Sequence, residues 1–170
     1  MKEKILYYRD DYLPELKLKI RIGATAAGVA YISGVDEAEM TRFFKEYQFY
    51  PLKNQEYIDQ ALEQLHQYDQ GGLTDFKLKL DLVGTDFQQQ VWQALSRQPY
   101  GTLTTYSELA AAIGRPQSVR AVANAVGRNP LLMVIPCHRV IGKDGSLTGF
   151  RSGISVKRSL LIREGLSEFR

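Results

Sequence analysis

The sequence is poor in cysteine, histidine and long apolar runs. Of its 170 residues one is cysteine and two are histidine. A lone cysteine excludes an internal disulfide, which suits a reducing compartment. Cys137, His66 and His138 are too few for a structural zinc site, which takes about four Cys or His ligands. No apolar run approaches the ~18–20 residues a membrane helix needs. The opening MKEKILYYRDDY has no apolar core of a secretory signal. Internal repeats and low-complexity segments are missing as well. These absences point to a cytoplasmic chain without a membrane partner.

What is present is ordinary for a chain that buries a core: 44% hydrophobic and 24% charged residues. This length suits one compact domain or two small ones. A formal charge of +3 and a pI near 8.9 are compatible with nucleic acid but do not require it.

Along the chain, Ile5 to Tyr8, Leu16 to Ile22 and Gly28 to Ser33 alternate as short strands between turn-prone DDYLP and GATAAG. Helices are expected over Glu37 to Tyr47 and Gln55 to Tyr68, the second with Ile58, Leu62 and Leu65 on one face. FKLKLDL, Phe76 to Leu82, alternates as a further strand. The rhythm changes at Val83-Gly84. Thr85-x-x-Gln88 and Thr105-x-x-Glu108 have the form of capping boxes, opening helices over Phe87 to Arg97 and Tyr106 to Ile113. A last helix is expected from Ser155 to Glu164, stopped by Gly165. The fold class is therefore α+β: a small N-terminal antiparallel-sheet domain with helices over 1–82, then a mainly helical C-terminal domain over 83–170 containing a helix-turn-helix.

That motif lies in TYSELAAAIGRPQSVRAVANAVGRNP, with Gly114 and Pro116 in the turn. With Arg120 set at 0° and about 100° per residue, Val119, Val122 and Val126 fall between about 200° and 260°, a buried stripe. Arg120, Asn124 and Gly127 lie within about 40° of zero, and Ala121 and Ala123 are small. Such a face can approach a nucleic-acid groove closely, although a plain helical hairpin with a solvated face has the same pattern.

Cys137 follows an apolar run, Leu131 to Ile135, expected to be a buried strand or extended segment closed by Pro136. A lone cysteine there is usually packing. Three features favour a nucleophile. His138 and Arg139 follow directly, and cationic neighbours lower a thiol pKa. Adjacent residues in extended chain point apart, so a turn or a bridging water is required. Glu164 lies on the apolar face of the last helix with Leu160 and Leu161, in the final turn where the helix dipole disfavours a carboxylate. Its partner is either His138, giving an oriented imidazole beside a thiol, or one of Arg163, Lys157 and Arg158 in a simple ion pair. Asn129-Pro130 either forms a local turn or ties the helix pair to the cysteine loop. His66 reads as a solvated helix residue.

NPLLMVIPCHRVIGKDGSLTGFRSG followed by VKRSLLIREG resembles the 6-O-alkylguanine-DNA alkyltransferases, also called methylated-DNA–protein-cysteine methyltransferases. The resemblance covers Val83 to Gly165 and is carried by Pro-Cys-His-Arg, the Arg-Ala-Val helix and Asn-Pro. It implies a ribonuclease-H-like structural N-terminal domain, whose zinc site in some relatives is absent here. It further implies a monomer that binds damaged duplex DNA through the minor groove and flips the alkylated guanine out. Arg120 would fill the gap left by the base; Ala121, Ala123, Asn124, Gly127, Arg128 and Tyr106 would contact DNA. Tyr106 would also donate a proton to the guanine, and Asn129 would link helix to active-site loop. Glu164 would orient His138, which takes the Cys137 proton through a water. The thiolate would then accept the alkyl group irreversibly, once per molecule, with neither metal nor organic cofactor. 4-O-alkylthymine would react less readily. Leu132, Val140, Phe150, Arg151 and Ser152 would form the substrate pocket. Phe150 stands where a tyrosine is common, Ser152 where glycine is frequent and Leu132 where a proline is found, which opens the question of alkyl size.

Three rival readings are a damage-binding relative that recruits other repair factors, a transcription regulator using only the helix pair, and a Cys-His-Glu hydrolase. Relatives of the first kind replace the cysteine, and no Gly-rich nucleophile turn supports the last.

Overall fold

The computed structural model describes residues 3–52 and 55–170, and the chain divides into two compact units, Met1–Val83 and Gly84–Arg170. The first unit is a four-stranded sheet with helices. Strands β1 (Lys4–Leu13), β2 (Leu18–Ala24) and β3 (Val29–Gly34) form an antiparallel meander, and β4 (Tyr47–Pro51) adds to β1 in parallel, giving the order β3-β2-β1-β4. Alternation sends Ile20 and Ile22 into the core, while Arg21 lies opposite Asp10 and donates to it at 2.6 and 2.8 Å.

Helix α1 (Glu37–Phe43) is capped by Asp36. It ends earlier than the expected 37–47 helix, because the chain must extend at Tyr47 to pair with β1. Helix α2 (Glu56–Asp69) buries Ile58, Leu62 and Leu65 as its spacing predicted. His66 is partly exposed on α2, 3.5 Å from Asp11. The expected strand over 76–82 is irregular instead: its alternation is met by a single bridge from Leu80 to Val29, with Val29 N–H donating to Lys79 at 2.8 Å and Asp81 N–H donating to Val29 at 2.9 Å.

The second unit is mainly helical: α3 (Asp86–Leu95), α4 (Tyr106–Ala112), α5 (Val119–Gly127) and α6 (Ile154–Arg163), with two short strands, β5 (Thr104–Thr105) and β6 (Val140–Ile141). Both capping boxes form, at Thr85/Gln88 and Thr105/Glu108. Helix α4 stops in a Schellman turn: Gly114 takes φ +72°, its N–H donates to Ala111, and Arg115 N–H donates to Ala110. That turn aims α5 across α4. Trp92 fixes α3 against α5 by donating from Nε1 to the Ala125 carbonyl at 2.8 Å. Gly84 lets the chain pass this indole, since a Cβ there would meet the Trp92 ring at 2.5 Å. No helix among the described residues is long and apolar enough to cross a membrane.

Candidate active site

The segment before Cys137 is a turn rather than the expected strand. Ile135 N–H donates back to the Leu131 carbonyl at 2.9 Å, and Met133 takes the left-handed φ of +69°. A non-glycine residue there costs roughly 1–2 kcal/mol and requires surrounding support. Asn129 supplies it. Its Oδ1 accepts from Leu131 N–H at 2.9 Å and its Nδ2 donates to the Ile135 carbonyl at 2.7 Å, all buried. Apolar content alone does not separate a buried turn from a buried strand; the side-chain scaffold of Asn129 decides it here.

Cys137–Arg139 then form one turn of 3-10 helix, so the thiol and the imidazole do not point apart as they would in extended chain. The exit of this turn pairs in parallel with the entry to α4, Thr104 with Val140 and Thr105 with Ile141. Tyr106, the next residue, is thereby held close to the cysteine turn. Its hydroxyl accepts from the Thr148 hydroxyl at 3.3 Å.

Glu164 closes α6 and gathers the site. His138 Nε2 lies 2.7 Å from its Oε1, Arg139 donates to it from Nε at 2.8 Å and from the second terminal nitrogen at 2.9 Å, and Gly101 N–H donates at 3.0 Å. Both side chains of the His138–Glu164 pair are fully buried. Arg139, expected beside the thiol, instead forms a fork on this carboxylate. Lys157, weighed as a partner of Glu164, donates instead to the carbonyls of Val140 and Thr148 at 2.5 and 3.1 Å.

These contacts set the protonation states. Burial opposes the Glu164 charge, but the hydrogen bonds from His138, Arg139 and Gly101 outweigh it and hold the carboxyl well below its usual range. Burial pushes the His138 pKa down, helped by the cations Arg139 and Lys157 and opposed by Glu164. The consistent assignment is a carboxylate held by Arg139 and a neutral imidazole that donates from Nε2. The lone pair then sits on Nδ1, which is buried and bonded by no protein group among the described residues. Burial also raises the Cys137 pKa; the Asn129 side chain and the charges of Arg151 and Lys157 offset this only in part. The resting group is therefore a thiol, not the thiolate that its cationic neighbours in sequence suggested, and it needs a base to react.

Cys137 lines a narrow pocket with Val126, Gly127, Asn129, Leu132 and the segment Gly149, Phe150, Arg151 and Ser152. Of the expected pocket residues, Val140 is instead fully buried, with its carbonyl occupied by Lys157. Helix α5 buries Val122, Ala125 and Val126 and exposes Arg120, Ala121, Asn124 and Gly127, with Arg128 exposed at its cap and Ala123 half-buried. Beside that face runs a groove shared with the first turn of α3, where Gln88, Gln117 and Ser118 join Arg120 and Asn124.

Gly101 and the groove residues Gln88 and Gln117 were not anticipated as site residues, and Lys157 was weighed only as an ion-pair partner of Glu164. Lys157 carried a readable signal: it stands three, four and seven residues before Leu160, Leu161 and Glu164, so it shares the same buried helix face. Gly101 offers only a backbone N–H, which no side-chain pattern reveals.

The chain resembles known proteins in sequence and in fold. Residues 86–166 match the family model described as the DNA-binding domain of 6-O-methylguanine DNA methyltransferase. A methylated-DNA–protein-cysteine methyltransferase of Methanosarcina barkeri is 50% identical over 113 residues, 66% of this chain and 72% of that protein. The crystal structure of the Mycobacterium tuberculosis 6-O-methylguanine methyltransferase superposes with a TM-score of 0.79 at 38% identity, covering 94% of this chain and 92% of that one. A second crystal structure from that organism, in complex with DNA, gives 0.79 at 36% identity over the same shares. With the fold of solved family members and a curated relative identical at half of the 113 matched residues, the chain belongs to the 6-O-methylguanine DNA methyltransferase family.

Proposed function

We propose that this protein removes the alkyl group of 6-O-alkylguanine in duplex DNA, and less readily of 4-O-alkylthymine, by transferring it to Cys137. The observation that carries the reading is a buried thiol at a pocket floor next to a neutral imidazole whose far nitrogen is locked on Glu164. The reaction balances as follows. His138 Nδ1 takes the thiol proton through a water, and Sγ attacks the alkyl carbon. The carbon–oxygen bond breaks with its electron pair going to the guanine, which takes a proton at N3 from the Tyr106 hydroxyl. That proton is returned to Tyr106 from His138. A thioether has no ready hydrolysis route, so each molecule acts once and no metal or organic cofactor is required.

The exposed face of α5 supports minor-groove binding with the damaged base turned into the pocket: Ala121 and Gly127 permit close approach, and Arg120, exposed on the same face, would occupy the gap in the stack. Asn124 and Arg128 flank them, Ala123 keeps the face shallow, and Asn129 couples the helix end to the cysteine turn. In this reading the protein acts as a monomer, and the second unit holds both the chemistry and the DNA face.

The test is an intact mass measurement after incubation with duplex DNA carrying one 6-O-methylguanine. One methyl group mapped to Cys137, and none in Cys137→Ser, is expected. Unmodified protein that still binds damaged DNA would identify a recruiting protein, and loss of substrate without a mass change would identify a hydrolase.

A further inference from the structure

The turn over 98–101, between α3 and β5, contributes none of the reacting groups, yet it closes around Glu164 and its counter-ion. The Gln98 carbonyl accepts from Arg139. The Cζ of the same guanidinium lies 5.7 Å from the centroid of the Tyr100 ring, within the range where an aromatic face attracts a cation. The Tyr100 hydroxyl donates at 3.0 Å to the carbonyl of Arg163, the residue before Glu164. Gly101 N–H donates to the Glu164 carboxylate at 3.0 Å, and at φ +71° a Cβ there would meet the Glu164 carbonyl oxygen at 3.2 Å. Tyr100 thus joins two parts of the site: its ring faces the cation, and its hydroxyl fixes the backbone that carries the carboxylate.

We propose that Tyr100 is a positioning residue for the alkyl transfer, its ring holding Arg139 on Glu164 so that His138 stays free to accept the Cys137 proton. This rests on the transfer proposed above and adds to it a residue outside the Cys137 pocket. The groups around His138 divide by sign. Burial disfavours its charged form, Glu164 favours it, and Arg139 and Lys157 disfavour it. Cys137 rests as a neutral thiol, and Tyr100 keeps its proton, because burial and then Glu164 raise its pKa. Arg139 is the member of this set that the turn holds. A guanidinium that leaves Glu164 takes its own charge away from His138 and leaves the carboxylate uncompensated. Both changes favour the imidazolium, which has no lone pair on Nδ1 and cannot act as a base. The balance of the transfer is unchanged; what falls is the fraction of His138 able to take the thiol proton.

The probe is a duplex with one 6-O-methylguanine. Mass gain on Cys137 is followed in single turnover from about pH 5.5 to 7.5, below the Lys157 pKa of about 8. Wild type is compared with Tyr100→Phe and with a chain carrying pentafluorophenylalanine at position 100. The two variants share a shape and both lack the hydroxyl, but fluorination reverses the charge of the ring face. Wild type and Tyr100→Phe are expected to lose rate alike toward acid pH. The fluorinated protein is expected to lose roughly fivefold more between the two ends of the range, because its His138 takes a proton at higher pH. A ring that only fills space would leave the shape of the profile untouched. Superposable profiles for Tyr100→Phe and the fluorinated protein overturn the proposal. So does a deficit in the fluorinated protein that is the same at every pH. A wild type that takes up no methyl at any pH would instead overturn the transfer reaction itself.

Discussion

His138 and Glu164 meet at 2.7 Å with both side chains sealed from solvent, and the same carboxylate is forked by Arg139. The ion pair in this site is therefore Arg139–Glu164, and the histidine is a neutral donor to it. This division of labour leaves His138 free to act as a base.

Replacing His138 with Gln should remove that base while keeping a donor toward Glu164. The rate of methyl uptake by Cys137 is expected to fall roughly 10²–10⁴-fold, and the residual rate should climb as pH approaches the raised thiol pKa. Stopped mass analysis across pH 6–10 on wild type and His138→Gln tests this; a variant with the wild-type pH profile would remove His138 from the proton path.

Glu164→Gln should be costly in another way. It leaves the Arg139 guanidinium, 6% exposed, without its counter-charge, and breaking a buried pair costs about 3–5 kcal/mol. The sign with pH follows from the depressed carboxyl. Its stabilisation is complete above the unfolded-state value near ~4.3 and is lost as pH falls toward the native one. Urea midpoints of wild type and Glu164→Gln should therefore differ most at pH 6–7 and converge below about pH 4. A gap that stays constant down to pH 2 would contradict the carboxylate assignment.

Much of this site was legible in the sequence because misplaced charges are conspicuous. Glu164 on an apolar helix face demanded a partner, and the single Cys-His pair narrowed the choice. The same reasoning applied to Lys157 would have found a second buried charge. Other features left no such trace. The 131–135 turn has the composition of a strand, and only Asn129 reaching both Leu131 and Ile135 distinguishes it. Strand β4 escaped notice because YQFYP follows a helix that ends four residues earlier than its pattern suggested, and its pairing with β1 is long-range. The sequence 76–82 has perfect alternation but meets β3 only at that strand's first residue, through the single bridge of Leu80 to Val29.

Lys157 is expected to make stability rise with pH in an alkaline window. Burial lowers its pKa from 10.5 to about 8, with the Cys137 charge opposing the shift, a difference worth on the order of 3 kcal/mol. Between those values the unfolded chain holds a proton that the native state has released, so unfolding takes up a proton and becomes harder as pH rises. Lys157→Met removes this group while filling similar space. Urea unfolding from pH 7.5 to 10 should show wild type gaining on the variant. Parallel curves would mean that Lys157 keeps its proton throughout, held by the Val140 and Thr148 carbonyls.

Gly127 separates helix stability from DNA contact. It is the last residue of α5, is exposed, and an added Cβ would meet nothing within 4 Å. On the protein alone, Gly127→Ala should therefore be neutral or stabilising by up to about 1 kcal/mol. Against a minor groove, the same methyl group should obstruct, because the exposed face of α5 is shallow only while its side chains are small. The expected result is an unchanged or higher Tm with weaker binding to a methylated duplex. Arg120→Ala provides the contrast: it should slow reaction in duplex DNA far more than reaction with the free base 6-O-benzylguanine, since no stack has to be filled for the free base. Equal losses for Arg120→Ala in both assays, or undiminished duplex affinity for Gly127→Ala, would mean that DNA approaches by a different face.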